Sequence, residues 1–102
     1  MASKPQTFQE ALAAVNEECD AIMVRKQLDY GPDNITAWGL LGIAVRSTDK
    51  VMRLKELLTS GREPQNESLR DTLVDLRNYA TIGLMLMDGN WGLPVEREQE
   101  RK

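Results

Sequence analysis

The sequence predicts an all-α protein, an antiparallel helical bundle of three main helices forming a single domain over residues 1–102 and completed by homo-oligomerisation. Three observations predict it. Apolar residues recur at helical spacing in three segments, about 7–28, 35–60 and 67–88. Turn-forming stretches, Asp29 to Asn34 and Ser60 to Asn66, separate them. The second connection is short enough to leave the helices it joins as antiparallel neighbours.

Composition narrows the chemistry. A chain of 102 residues and 11.5 kDa holds one modest core, which an oligomer interface would enlarge. With 13 Lys+Arg against 16 Asp+Glu and a pI near 4.9, no basic field gathers a nucleic-acid backbone, so no nucleic-acid partner is expected. One cysteine excludes an internal disulfide framework and a multi-cysteine zinc site. The absence of histidine removes the commonest transition-metal ligand and general base, so any metal would be held by oxygen. MASKPQTF has no apolar core of signal-peptide length, and no run is apolar for long enough to span a bilayer. The expectation is a cytoplasmic protein with no membrane partner.

The first helix starts at Thr7, where Thr7 and Glu10 have capping-box spacing, and carries the stripe Phe8, Leu12, Val15, Cys19 and Ile22. Glu17, Glu18 and Asp20 beside that stripe read as solvated charges, and Cys19 as a buried, inert thiol. Gly31-Pro32 stops the helix, and Asn34 can cap the next one. The Tyr30 to Asn34 loop reads either as a nucleoside-binding edge or as a capped turn with a packed tyrosine.

The second helix, Ile35 to about Ser60, is expected to run unbroken through Ser47-Thr48. Its apolar face carries Leu40, Ala44, Val51, Leu54 and Leu58; its other face carries Arg46, Asp49, Lys50 and Arg53, with Gly39 and Gly42 upstream. Cations flanking an aspartate, with glycines permitting close approach, suit a phosphate clamp sharing a metal with a facing carboxylate. An i,i+4 surface pair of Asp49 with Arg53 accounts for the same pattern equally well. Gly61 is a plausible C-cap, and Pro64 prevents continuation.

The third helix repeats the two-faced pattern. Leu69, Leu73, Leu76, Ala80, Leu84 and Met87 share one face, and Glu67, Asp71, Asp75 and Asn78 the other. Carboxylates that run into Val74, Ile82 and Met85 point into a partly enclosed space. Burial there requires pairing or metal, so this stripe marks a candidate site. Met85-Leu86-Met87 make the helix end apolar all round, which asks for cover from a second subunit; Trp91 and Leu93 either fold back or dock there. A charged tail, 95–102, closes the chain without a core-forming pattern.

Tyr30-Gly31, Gly42 followed by Arg46-x-x-Asp49-Lys50-x-x-Arg53-Leu54, and Glu67-Ser68-x-x-Asp71-Thr72-x-x-Asp75-Leu76-x-Asn78-Tyr79 together resemble the nucleotide modification associated domain 1 family, common in phages. That family looks like a branch of the MazG-like all-helical nucleoside triphosphate pyrophosphatases. The resemblance implies a Mg2+-dependent (or Mn2+-dependent) pyrophosphohydrolase acting on dNTPs, modified ones included, in the host cytoplasm. Asp49, Glu67, Asp71 and Asp75 would then be the catalytic and metal-holding carboxylates. Arg46, Lys50 and Arg53 would bind phosphate, and Tyr30, Asn34, Asn78 and Tyr79 the nucleoside. Arg46 and Asp49 stand where the superfamily carries its Glu-Glu-x-x-Glu set. That excess of cations motivates a second reading, a nucleotide-binding protein without turnover. A third is a helical oligomerisation or adaptor module whose charged stripes form a structural salt-bridge network.

Overall fold

The computed structural model describes residues 4–96, and among these it contains four helices and no strand. They are α1 (Phe8–Tyr30), α2 (Asp33–Thr36), α3 (Gly39–Ser60) and α4 (Leu69–Met87). None is long and apolar enough to cross a membrane. Residues 97–102 of the charged tail lie outside the described residues.

Local chemistry sets the helix ends. The Thr7 hydroxyl accepts from the Glu10 amide at 3.1 Å, and the Glu10 carboxylate accepts from Gln6 at 2.8 Å. Gly31 (φ 70°) reverses the chain after α1. The segment expected as one second helix is divided. A single turn, α2, is followed by Gly39 at φ 54°, a conformation that redirects the chain at the first residue of α3. From there α3 passes Ser47-Thr48 unbroken, with the Thr48 hydroxyl donating back to the Ala44 carbonyl at 2.9 Å. At the start of α4, Ser68 accepts from the Asp71 amide at 3.0 Å, and Asp71 from the Ser68 amide at 3.4 Å.

α3 and α4 run antiparallel: Lys50 meets Asp75, Arg53 meets Glu67, and a Cβ built on Gly83 would lie 3.5 Å from Leu40. Gly83 is buried in this contact. Gly39 and Gly42 were expected to allow close approach, but Gly39 serves the turn and Gly42 clears only the Trp38 side chain. The second half of α1 crosses α4, tied by the Asn78 amide donating to the Cys19 carbonyl at 3.1 Å. Ile35, Ile43, Ile82 and Trp91 form the buried core, with Met23, Tyr79, Met85 and Leu86 against it. Trp91 folds back on its own chain, its indole N–H donating to the Pro32 carbonyl at 3.0 Å, while Leu93 stays exposed.

The inward faces differ from those expected. Leu40, Ala44, Val51 and Leu58 on α3, and Leu69, Leu73, Ala80, Leu84 and Met87 on α4, are exposed. Of these expected faces Leu54 and Leu76 alone are part-buried; turned inward beside them are Ile43 and Lys50 on α3, and Thr72, Asp75, Tyr79 and Ile82 on α4. The reason is charge pairing: opposite charges on the polar faces neutralise one another, so these faces can be covered by α1 and α2. The first half of α1 also lies outside the packed region, every residue from 4 to 15 being exposed. The radius of gyration, 15.8 Å, accordingly exceeds the roughly 13 Å of a compact domain of this length.

Candidate functional site

A cavity of about 170 Å³ opens between the end of α1, α2, and the facing sides of α3 and α4. Its apolar surface comes from Met23, Ile35, Ile82 and Trp91. Tyr30, Asn34, Arg46, Asp75, Asn78 and Tyr79, six of the residues singled out in sequence, all line it, and so do Lys26 and Gln27. Tyr30 is 70% exposed at the mouth, whereas Tyr79 is half-buried against the core. Arg46 donates to the Asn34 carbonyl at 3.2 Å, joining α3 to α2 across the cavity edge. Asn78 has both ends of its amide engaged, with the Cys19 carbonyl and with Arg77 at 2.8 Å, so it positions helices around the cavity.

An ion-pair network adjoins the cavity at Asp75. The Lys50 ammonium lies 2.7 Å from Glu67 Oε1 and 2.8 Å from Asp75 Oδ2, and Lys26 reaches the other Asp75 oxygen at 3.1 Å. The Arg53 guanidinium donates to the Glu67 backbone carbonyl at 2.5 Å. Its Nε, 3.4 Å from the Glu67 carboxylate, is buried without a hydrogen bond. The Thr72 hydroxyl, wholly buried, donates to Glu67 at 2.6 Å. Burial pushes the Asp75 carboxyl up, but hydrogen bonds and charge from Lys50 and Lys26 outweigh it and hold the group below its ordinary value. Glu67 behaves alike: burial raises it, and Lys50 and Thr72 bring it lower overall. Burial lowers Lys50, yet its two carboxylate partners leave it raised.

The expected carboxylate set Asp49, Glu67, Asp71 and Asp75 is therefore not assembled around one point. Among the described residues no group of three or more His, Cys, Asp or Glu is placed to hold a metal ion. Lys50 separates Glu67 from Asp75, Asp71 is committed to the α4 cap, and Asp49 is exposed on α3. Nor does the alternative Asp49–Arg53 surface pair form, since Arg53 turns to Glu67. The expected phosphate-binding trio is divided as well, with Arg46 on the cavity and Lys50 and Arg53 in the network.

Sequence reasoning missed Lys26, Met23, Ile82 and Trp91 as cavity residues. Lys26 and Asp75 are 49 positions apart, and no spacing rule joins them. Trp91 carried a usable signal, a lone tryptophan beyond a helix stop, which a fold-back onto the Gly31-Pro32 turn would have explained.

A family model described as nucleotide modification associated domain 1 matches residues 26–87, well over half of the chain. The match begins at Lys26 and takes in every cavity residue named above except Met23 and Trp91. No curated protein and no solved structure matches the chain.

Proposed function

We propose, from the premise that this chain belongs to the nucleotide modification associated domain 1 family, that its cavity binds a nucleotide by the base. One observation carries the reading. Residues from four separate segments, Tyr30, Asn34, Arg46 and Tyr79 among them, converge on a single partly apolar cavity. The volume, about 170 Å³, suits one ring system, since an apolar cavity of about 150 Å³ accepts benzene. The half-buried Tyr79 supplies an aromatic face for stacking, and the sugar and phosphates lie outside, within reach of Arg46 and the exposed Lys26. Binding without turnover needs nothing further from the chain. Calorimetry with standard and base-modified deoxynucleotides tests it. Micromolar binding with the ligand recovered intact, weakened at least tenfold by Arg46→Gln, supports the reading, and no binding by any nucleotide refutes it.

A second reading, Mg2+-dependent nucleotide pyrophosphohydrolysis of the MazG-like kind, has one observation in its favour. The Lys50 ammonium occupies a cationic position shared by two carboxylates, Glu67 and Asp75. In the present arrangement these acids do not fit a Mg2+ ion, which requires several oxygens at about 2.0–2.1 Å and would have to displace Lys50. Release of monophosphate and pyrophosphate above a metal-free control would favour this reading over simple binding.

A further inference from the structure

We propose that the cavity admits pyrimidine bases and excludes purines, the base entering with its N–H-bearing edge toward Asp75. This rests on the nucleotide-binding reading and names the class of base that reading leaves open.

Volume makes the first selection. An apolar cavity of about 150 Å³ accepts a six-membered ring, which is about 25 Å³ for each ring atom. On that scale the cavity of about 170 Å³ holds a single ring with little to spare, whereas the nine ring atoms of a purine need about 225 Å³. The deeper walls are not free to give way. Ile35, Ile82 and Trp91 are each 7% exposed and belong to the core, and the Trp91 indole is fixed on the Pro32 carbonyl at 3.0 Å. Asn78 is held at both ends of its amide. Widening the cavity on those sides would disturb close packing or strand a buried polar group.

Charge makes the second selection. Asp75 lines the cavity, and against the upward push of burial Lys50 and Lys26 hold its carboxyl below the ordinary value, so at neutral pH it only accepts hydrogen bonds. A carboxylate has room for about four donors, and one ammonium on each oxygen leaves a position open on both. Pyrimidines offer a donor there: the ring N3–H of thymine and uracil, or the exocyclic amino group of cytosine. Gln27, part-buried in the lining and with no hydrogen bond to its side chain among the described residues, can donate to the acceptor beside it, a thymine carbonyl or the cytosine ring nitrogen.

Calorimetry with the 5′-monophosphates of deoxycytidine, thymidine, deoxyadenosine and deoxyguanosine tests the proposal, because sugar and phosphate are common to all four and any preference reports the base. Micromolar binding of the two pyrimidines, with both purines weaker by about tenfold or more, is the expected result. Purines that bind as tightly overturn the proposal while leaving base binding intact, and no binding by any of the four overturns both. Met23→Ala removes three heavy atoms from a part-buried wall, as many as the fused ring adds, and should shrink the purine penalty to about threefold. A penalty unchanged in the folded variant overturns selection by volume. 3-Methylthymidine 5′-phosphate, in which a methyl group replaces the N3 hydrogen, should bind about tenfold or more weaker than thymidine 5′-phosphate. Equal binding overturns the role of Asp75, as does an equally large difference between thymidine and deoxyuridine 5′-phosphates, which would assign the loss to the bulk of a methyl group.

Discussion

Replacing Asp75 with Asn removes one negative charge from a point where two ammonium groups meet it, at 2.8 Å and 3.1 Å, while keeping side-chain shape. Were Asp75 a free metal ligand, the change would relieve repulsion and leave the metal-free protein as stable or more so. The geometry predicts the reverse. Lys50 would keep Glu67 but lose its second carboxylate in a site where its side chain is only 18% exposed. Breaking a fully buried pair costs about 3–5 kcal/mol and an exposed one about 0–1 kcal/mol. With Asp75 15% exposed, and Lys26 free to return to water, the expected loss is about 2 kcal/mol. For a domain of this length that lowers Tm by about 8–16 °C. Thermal melts of the wild type and Asp75→Asn, each in EDTA and in Mg2+, read it out. An unchanged or raised Tm for the metal-free variant, together with a wild type stabilised by Mg2+, would refute the pairing argument and return Asp75 to the metal-ligand role.

Further outcomes follow from the same geometry. Asp75 and Glu67 have folded-state values below their ordinary 3.8 and 4.5, so the native state binds fewer protons than the unfolded chain in that range. Their stabilisation is complete above about pH 4.5 and is lost as pH falls through the lowered values, so urea midpoints should drop with acid less steeply in Asp75→Asn than in the wild type. Trp91→Ala removes a side chain that is 7% exposed and anchored on Pro32, and should cost about 3–5 kcal/mol in chemical denaturation. Because Trp91 belongs to the chain's own core, a loss of oligomer on its replacement would report unfolding, not a broken interface. Asp71→Ala dissolves the reciprocal cap with Ser68 and should lower stability by about 1 kcal/mol without altering nucleotide affinity. A fall in affinity as large as that of Arg46→Gln would move Asp71 into the site.

Much of this protein was legible in its sequence because the relevant physics is local. Thr7 with Glu10 announced the start of α1, Gly31-Pro32 its end, and Gly61 the end of α3, since caps and turns depend on a few adjacent residues. Residue types and helical spacing likewise selected Tyr30, Asn34, Arg46, Asp75 and Asn78, and the family resemblance added Tyr79; all six share one cavity. What periodicity left undecided was which of two faces each helix would bury. On α3 and α4 the aliphatic stripe and the charged stripe both qualify, and hydrophobicity alone favours the first. Only the tertiary arrangement reveals that Lys50 can neutralise Glu67 and Asp75 together while Lys26 arrives from α1, 49 residues away. Pairing across that distance makes the charged side buriable and leaves the aliphatic side outward. Single-helix patterns cannot carry that information, because the free energy of burying a charge depends on where its partner ends up.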